Sequence, residues 1–155
     1  MRPTRKESIS LYSVAPPSFL WDEALRTGNA TIDQQHESLR EALMGISRLL
    51  ELPDVNVKYW LGLVSRTIDE YVLTHFITEE QLMATEQYPD LPTHKLRHMA
   101  FLAAFKAHQA QFARLQNDAE QMAAAKALLA FLNDWFTEEV LSSDKELALF
   151  IQNKP

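Results

Sequence analysis

Two pairs of candidate metal ligands stand four residues apart in this chain: His75 with Glu79, and His94 with His98. Both pairs lie in segments whose apolar residues recur every three or four positions, which predicts helices. Residues four apart in a helix are neighbours on one face, so each pair can bind one ion or two adjacent ions. Three further candidate ligands lie outside these pairs: His36, Glu139 and Asp144. Together the seven residues predict a dinuclear metal site.

The donor atoms restrict the metal that such a site could hold. The chain has no cysteine, which excludes disulfides, thiolate zinc sites, iron–sulfur clusters and cysteine nucleophiles. Nitrogen and oxygen donors suit iron, manganese, copper or zinc better than calcium or magnesium. Seven ligands are too many for one zinc ion, whereas two six-coordinate ions bridged by carboxylates fit them well. The alternative is a metal-free core network of hydrogen-bonded histidines and carboxylates.

The elements that position these ligands are predicted to be helices. The chain has 155 residues, 46% of them hydrophobic, and only 3 glycines, which favours a single all-α domain. The apolar periodicity predicts four helices with short connections, and hence an antiparallel up-down-up-down four-helix bundle over residues 31–155. Residues 1–30 carry prolines and no sustained period, so we expect an irregular N-terminal arm, packing through Phe19, Leu20 and Trp21.

Local signals predict where the helices begin and end. Thr31 is the expected cap of the first helix, and Thr93 that of the third, which should end near Asn117. The second helix should run from near Val57 to Glu86, and the fourth should break or restart at residues 142–144. The predicted inward stripe of the second helix is Leu61, Val64, Ile68, Val72, His75, Glu79 and Leu82.

Six of the seven candidate ligands fall where the helical period requires an apolar core residue. Histidine and carboxylate side chains are rarely buried unless they are paired or bind a metal. Antiparallel packing brings the six to one level of the bundle. The presence of these polar side chains at core positions is the main evidence in the sequence for a functional site.

At these positions the chain resembles the hemerythrin family, and in particular the single-domain bacterial hemerythrins. The resemblance runs from Trp21 to Asp144 and rests on four ordered motifs. They are Gly28 with Ile32-Asp33-Gln34-Gln35-His36; His75-Phe76-Ile77-Thr78-Glu79-Glu80; Tyr88-Pro89 followed by His94 and His98; and Trp135 with Asp144. A family member, myohemerythrin, is an up-down four-helix bundle.

The resemblance implies a non-haem diiron centre. His36 and His75 would bind one iron, His94 and His98 would bind the other, and an oxide or hydroxide would join them. Two carboxylates would also bridge the irons: Glu79 and Asp144. The first iron would keep one position open for dioxygen.

Glu139 departs from the family pattern, which has a histidine at this position. It could bind through one oxygen, leave its iron with a second open position, or bridge and crowd the site. A third carboxylate lowers the charge of the centre and stabilises ferric over ferrous iron, so we expect easier autoxidation than in a five-histidine relative.

The polar residues beside the ligands have more ordinary interpretations. Glu80 lies about 140° round the helix from His75 and is expected at the surface or behind a ligand. Asp33 and Gln35 are expected to be solvated rather than to support ligands. His108 lies about 15 Å along the helix from His98, too far to replace the missing histidine.

The open position is predicted to face an apolar pocket suited to dioxygen or nitric oxide. The alternative is that the apolar residues near the ligands are ordinary core residues. The pocket residues are Leu43, Phe76, Trp135, Phe136 and Val140. Reversible dioxygen binding for transport, storage or sensing is the leading function. The alternatives are a diiron oxidase or peroxidase, and a nitric oxide or iron-handling protein.

The charge and hydropathy of the chain bound its partners and location. A net charge of −6 argues against binding nucleic acid, which requires clustered basic residues. No segment approaches the roughly 18 apolar residues of a membrane-spanning helix, and no signal peptide is evident. We therefore expect a cytoplasmic monomer that binds neither nucleic acid nor membrane.

Overall fold

The computed structural model describes residues 23–155, and all of its regular structure there is helical. The α-helices are α1 (Ala30–Leu50), α2 (Val57–Tyr71), α3 (Ile77–Thr85), α4 (Leu91–Ala113), α5 (Asp118–Glu139) and α6 (Lys145–Gln152). A 3-10 turn (Glu23–Leu25) precedes them, and two π-helical turns (Val72–Phe76 and Val140–Asp144) join α2 to α3 and α5 to α6. The result is four helical rods packed antiparallel, which confirms the predicted bundle. The expected packing of Phe19, Leu20 and Trp21 lies outside the described residues.

Asparagine side chains begin three of these helices. Asn29, Asn56 and Asn117 each accept a hydrogen bond from the backbone N–H three residues later, at the starts of α1, α2 and α5. The predictions that Thr31 and Thr93 would cap helices are wrong, because both lie inside the first turn of their helix. The third rod also ends earlier than predicted, at Ala113.

Gly28 allows the chain to turn into α1 beside the end of α6. Its φ of 88° lies in the left-handed region, and a Cβ there would collide with the side chain of Gln152. Asp33 closes the same turn by accepting hydrogen bonds from the Thr27 backbone N–H and hydroxyl, at 2.8 and 2.7 Å. The expectation that Asp33 is merely solvated is therefore wrong. Asp33 supports the turn before α1 and not a candidate ligand.

The core has two apolar parts with the candidate ligands between them. A large cluster fills most of the bundle and includes Leu43 and Val140, and a smaller one near one end includes Ile32 and Leu147. His36 lies between these clusters along α1, and Asp144 lies between them along the α5–α6 rod. The ligands therefore form a polar layer that water reaches from neither end.

The π turn at Val72–Phe76 changes which residues of the second rod face inward. Tyr71 and Met83 are buried, whereas the predicted Val72 and Leu82 are only partly buried. Tyr71 comes one position before Val72 and Met83 one position after Leu82, so the buried residues recur every four positions across the π turn, a wider spacing than an uninterrupted α-helix gives. Within residues 23–155, no helix combines the length and apolar character needed to cross a membrane.

Candidate metal centre

Both π turns lie at the centre and orient candidate ligands. His75 is in the first turn and Asp144 is the last residue of the second. Glu139 and Asp144 are five residues apart, which would separate them by about 140° in an α-helix. The π turn absorbs one residue, so both carboxylates face the same centre. The break or restart predicted at residues 142–144 coincides with this π turn, after which α6 begins at Lys145.

His36, His75 and Asp144 bring donor atoms to one point. The Nε2 atoms of the two histidines lie 3.2 Å apart, and the Asp144 Oδ2 is 2.7 Å from His36 Nε2 and 3.3 Å from His75 Nε2. Two nitrogens bound to one ion at about 2.1 Å and at right angles would be about 3.0 Å apart. The spacing therefore suits two ligands of one ion.

Glu79 lies between this half of the centre and the other. Its Oε2 is 3.3 Å from His75 Nε2, 3.1 Å from His94 Nε2 and 3.3 Å from His98 Nε2. On the far side, His94 Nε2 lies 3.6 Å from Glu139 Oε1 and 3.5 Å from Asp144 Oδ1. Glu79 and Asp144 thus each face both halves, as bridging carboxylates would.

All seven predicted ligands belong to three overlapping groups. Within each group, the donor atoms lie within 4.8 Å of one another. The groups are His36, His75, Glu79 and Asp144; Glu79, His94 and His98; and His94, Glu139 and Asp144. Each residue is buried. Sequence alone identified every member of this cluster.

Unpaired donor atoms show that the cluster fits a metal better than a closed hydrogen-bond network. Among residues 23–155, five buried atoms of the cluster have no hydrogen-bond partner: His36 Nδ1, the ring nitrogen that does not contact Asp144, and four more, namely Glu79 Oε1, His98 Nε2, Glu139 Oε1 and Asp144 Oδ1. Buried polar atoms are nearly always paired, so four at one point indicate a missing binding partner. Cations between them would satisfy all four.

Burial and neighbouring charges shift the pKa values of three residues of the cluster. Burial lowers the pKa of His75, but Glu79 and Asp144 outweigh it and raise that pKa to about 9. Burial would raise the pKa of Glu79, yet the neighbouring His75 holds it well below its usual range. Burial and the charge of Asp144 raise the pKa of Glu139 to about 7. Metal binding would displace protons from these residues.

Comparison with known proteins assigns the chain to a family. The model of the hemerythrin HHE cation-binding domain matches residues 27–150, most of the chain. The chain belongs to the hemerythrin family. It is 28% identical to a bacteriohemerythrin of Clostridium acetobutylicum over 129 residues, which cover 83% of this chain and 97% of that protein. No solved structure gives a significant match.

Two further relatives cover similar shares of the chain. A bacteriohemerythrin of Stenotrophomonas maltophilia is 26% identical over 132 residues, 83% of this chain and 78% of that protein. A myohemerythrin of Riftia pachyptila is 25% identical over 129 residues, 83% of this chain and 90% of that protein. The resemblance stated from the motifs is thereby confirmed.

Two polar side chains of this hemerythrin-family protein orient candidate ligands from behind. His75 Nδ1 lies 2.9 Å from Gln35 Oε1, and His98 Nδ1 lies 3.1 Å from Glu80 Oε1, so each ring can donate to an oxygen. Such bonds fix the ring with its other nitrogen toward the metal. The expectation that Gln35 is merely solvated is wrong, and that for Glu80 is confirmed.

A contact across the bundle holds the second π turn in place. The Arg97 side chain on α4 donates a hydrogen bond to the hydroxyl of Ser143, which is buried next to Asp144. Nothing in the spacing of the sequence indicates this pairing. His108, in contrast, packs against Phe131, with ring centroids 4.9 Å apart, and belongs to none of the metal-ligand groups of residues 23–155.

Two of the predicted pocket residues, Phe76 and Phe136, contact candidate ligands through their rings. Four of the predicted pocket residues are buried: Leu43, Phe76, Phe136 and Val140. The Phe136 ring meets His36 edge-on at 6.0 Å, and Phe76 stacks on His98 at 3.7 Å. Trp135, predicted to face inward, is only partly buried and packs against Phe101 at 3.9 Å.

Tyr71 is a polar neighbour of the cluster that the sequence analysis did not select. It lies one helical turn before His75, a spacing that could have placed it on the inner stripe. Burial raises the pKa of its hydroxyl well above the ordinary 10.0, and three carboxylates raise it further: Asp144, Glu79 and Glu139. The hydroxyl is thus within electrostatic reach of the centre.

Proposed function

We propose that this protein binds dioxygen reversibly at a non-haem diiron centre. The observation that carries the proposal is the division of the cluster into two halves that share Glu79 and Asp144. We assign His36 and His75 to one iron, and the remaining ligands to the other: His94, His98 and Glu139. The names of the relatives, bacteriohemerythrin and myohemerythrin, agree with this assignment.

The protein's own residues would hold the irons and control access. His75 and His98 are fixed from behind by Gln35 and Glu80, so these two rings need little reorganisation when metal enters. Bound ferrous iron would supply the electrons that make dioxygen binding possible. The apolar side chains around His36, including Phe136, exclude water and protons and so favour release of an intact small ligand.

Anaerobic loading with ferrous iron followed by an oxygen titration tests the proposal. We expect two irons per chain and a visible absorption band that appears with oxygen and disappears when oxygen is purged. Asp144→Asn should reduce the iron content, because it weakens a carboxylate shared by both halves. Asp134→Asn is the matched control, since Asp134 is exposed on α5. A wild-type protein that binds fewer than two irons would contradict the diiron assignment.

Glu139 favours oxidase or peroxidase chemistry as a second candidate. It brings a third carboxylate to 3.6 Å from His94, in a site that already has two. The added negative charge stabilises ferric iron, so oxidation should be faster and harder to reverse. Rapid, irreversible conversion to the ferric state in the same titration would favour this candidate. Slower oxidation in Glu139→His would then identify Glu139 as the cause, and an unchanged rate would reject it.

A further inference from the structure

Tyr71 packs between a proposed ligand and the proposed pocket. Its ring stacks on His75, with centroids 4.6 Å apart and planes 16° from parallel. The same ring meets Phe76 and Trp135 edge-on, at 5.4 and 6.1 Å. Tyr71 is 5% exposed, so these contacts leave the ring little freedom to move. The ring is therefore held against His75 and against two residues of the proposed pocket, Phe76 and Trp135.

The hydroxyl of Tyr71 has no hydrogen-bond partner among residues 23–155, and its oxygen is inaccessible to solvent. An unpaired buried hydroxyl destabilises a folded protein, and most such groups find a partner in protein or water. Phenylalanine would fill the same space without that cost. The hydroxyl is therefore most simply explained by a partner that arrives after folding.

The surroundings of the pocket indicate what that partner is. Leu43, Phe76, Phe136 and Val140 offer no hydrogen-bonding side-chain atom to a ligand. A phenol is protonated at neutral pH, so Tyr71 brings a hydrogen-bond donor to this apolar space. A donor there would favour small ligands whose free end accepts a hydrogen bond.

We propose that Tyr71 is a specificity residue whose hydroxyl donates a hydrogen bond to the small ligand held in the pocket. The proposal rests on the proposed function and adds the chemical class of the ligand. The preferred ligand is a small molecule or anion with an electronegative free end, such as dioxygen or azide. The hydrogen bond would slow the release of such a ligand.

Tyr71→Phe tests this inference in the iron-loaded full chain, with azide as the probe of the oxidised protein. A hydrogen bond to a charged acceptor is strong enough that its loss should weaken azide binding about tenfold or more. The rate of oxygen release from the reduced, oxygenated protein should rise by a similar factor. Tyr59→Phe is the matched control, because Tyr59 is on the same helix and 66% exposed.

A measurement on the metal-free protein separates ligand binding from a structural role. Because the hydroxyl has no partner there, Tyr71→Phe should unfold in urea at the same concentration as the wild type or a higher one. A lower unfolding midpoint would show that the hydroxyl supports the fold and would overturn the proposal.

The azide comparison keeps this inference separate from the proposed function. If oxygen binding is irreversible, the carrier proposal fails, while the azide affinities still decide the role of Tyr71. Equal azide affinity in Tyr71→Phe and the wild type would overturn the proposal. A wild-type protein that binds no azide would also overturn it.

Discussion

Glu139→Gln should stabilise the metal-free protein and weaken the metal-loaded one. In the metal-free state Glu139 is 6% exposed, and one of its oxygens has no hydrogen-bond partner among residues 23–155. Burial and the charge of Asp144 raise its pKa from 4.5 to about 7, despite partial compensation by His94 and His98. Glutamine has nearly the same shape and removes the buried charge.

The magnitude follows from the difference in pKa between the folded and unfolded states. The folded state binds the proton more tightly, so ionisation of Glu139 destabilises the folded protein increasingly as pH rises from 4.5 to about 7. At about 1.36 kcal/mol per pKa unit, the penalty is roughly 1 kcal/mol near pH 5 and roughly 3 kcal/mol near pH 8. Glu139→Gln should recover these amounts in the metal-free protein.

Urea unfolding in the presence of a chelator, near pH 5 and near pH 8, measures the effect. Glu138→Gln is the control, because Glu138 is the neighbouring residue on α5 and is exposed. With iron loaded the sign should reverse, since the cation favours the ionised ligand that glutamine cannot supply. A metal-free Glu139→Gln protein that is no more stable near pH 8, or equally stabilised at both pH values, would refute the buried-charge reasoning.

Two further predictions concern the support of the centre. Glu80→Ala removes the oxygen 3.1 Å from His98 Nδ1 and should weaken metal binding by about 10–100-fold, measured by competition with a coloured chelator. An unchanged affinity would mean that packing alone orients His98. Inserting an alanine after the exposed Leu141 adds a residue that the π turn cannot absorb and should rotate Asp144 by about 100°, so that the metal content falls below two per chain. Two tightly bound irons in that variant would show that the π turn does not position the ligand.

The ligand set could be read from the sequence because helical periodicity is a local property. His36 and the pair of His94 and His98 occupy core positions of amphipathic helices, and any antiparallel bundle brings such positions together. The helical period likewise predicted Glu139 at the centre, independently of its contacts. Its consequence for stability, in contrast, depends on the burial and on the neighbouring charge of Asp144.

The helix boundaries were harder to predict from the sequence, because two residues that could cap the same helix lie close together. Asn29 begins α1 although Thr31, two residues later, has the same capping chemistry. The turn at Gly28, closed by Asp33 and packed against Gln152, fixes the choice. That packing brings together residues more than 100 positions apart, which no local signal encodes.

The sequence by itself determined the four amphipathic rods, the level of the bundle at which polar side chains meet, and the identity of all seven candidate ligands. The tertiary structure decided the two π turns, and with the second of them that Asp144 shares a face with Glu139. It also placed Gln35 within hydrogen-bond distance of His75 Nδ1. A one-residue bulge costs local helix energy, and only contacts across the bundle can offset that cost, so its position is set by the whole fold.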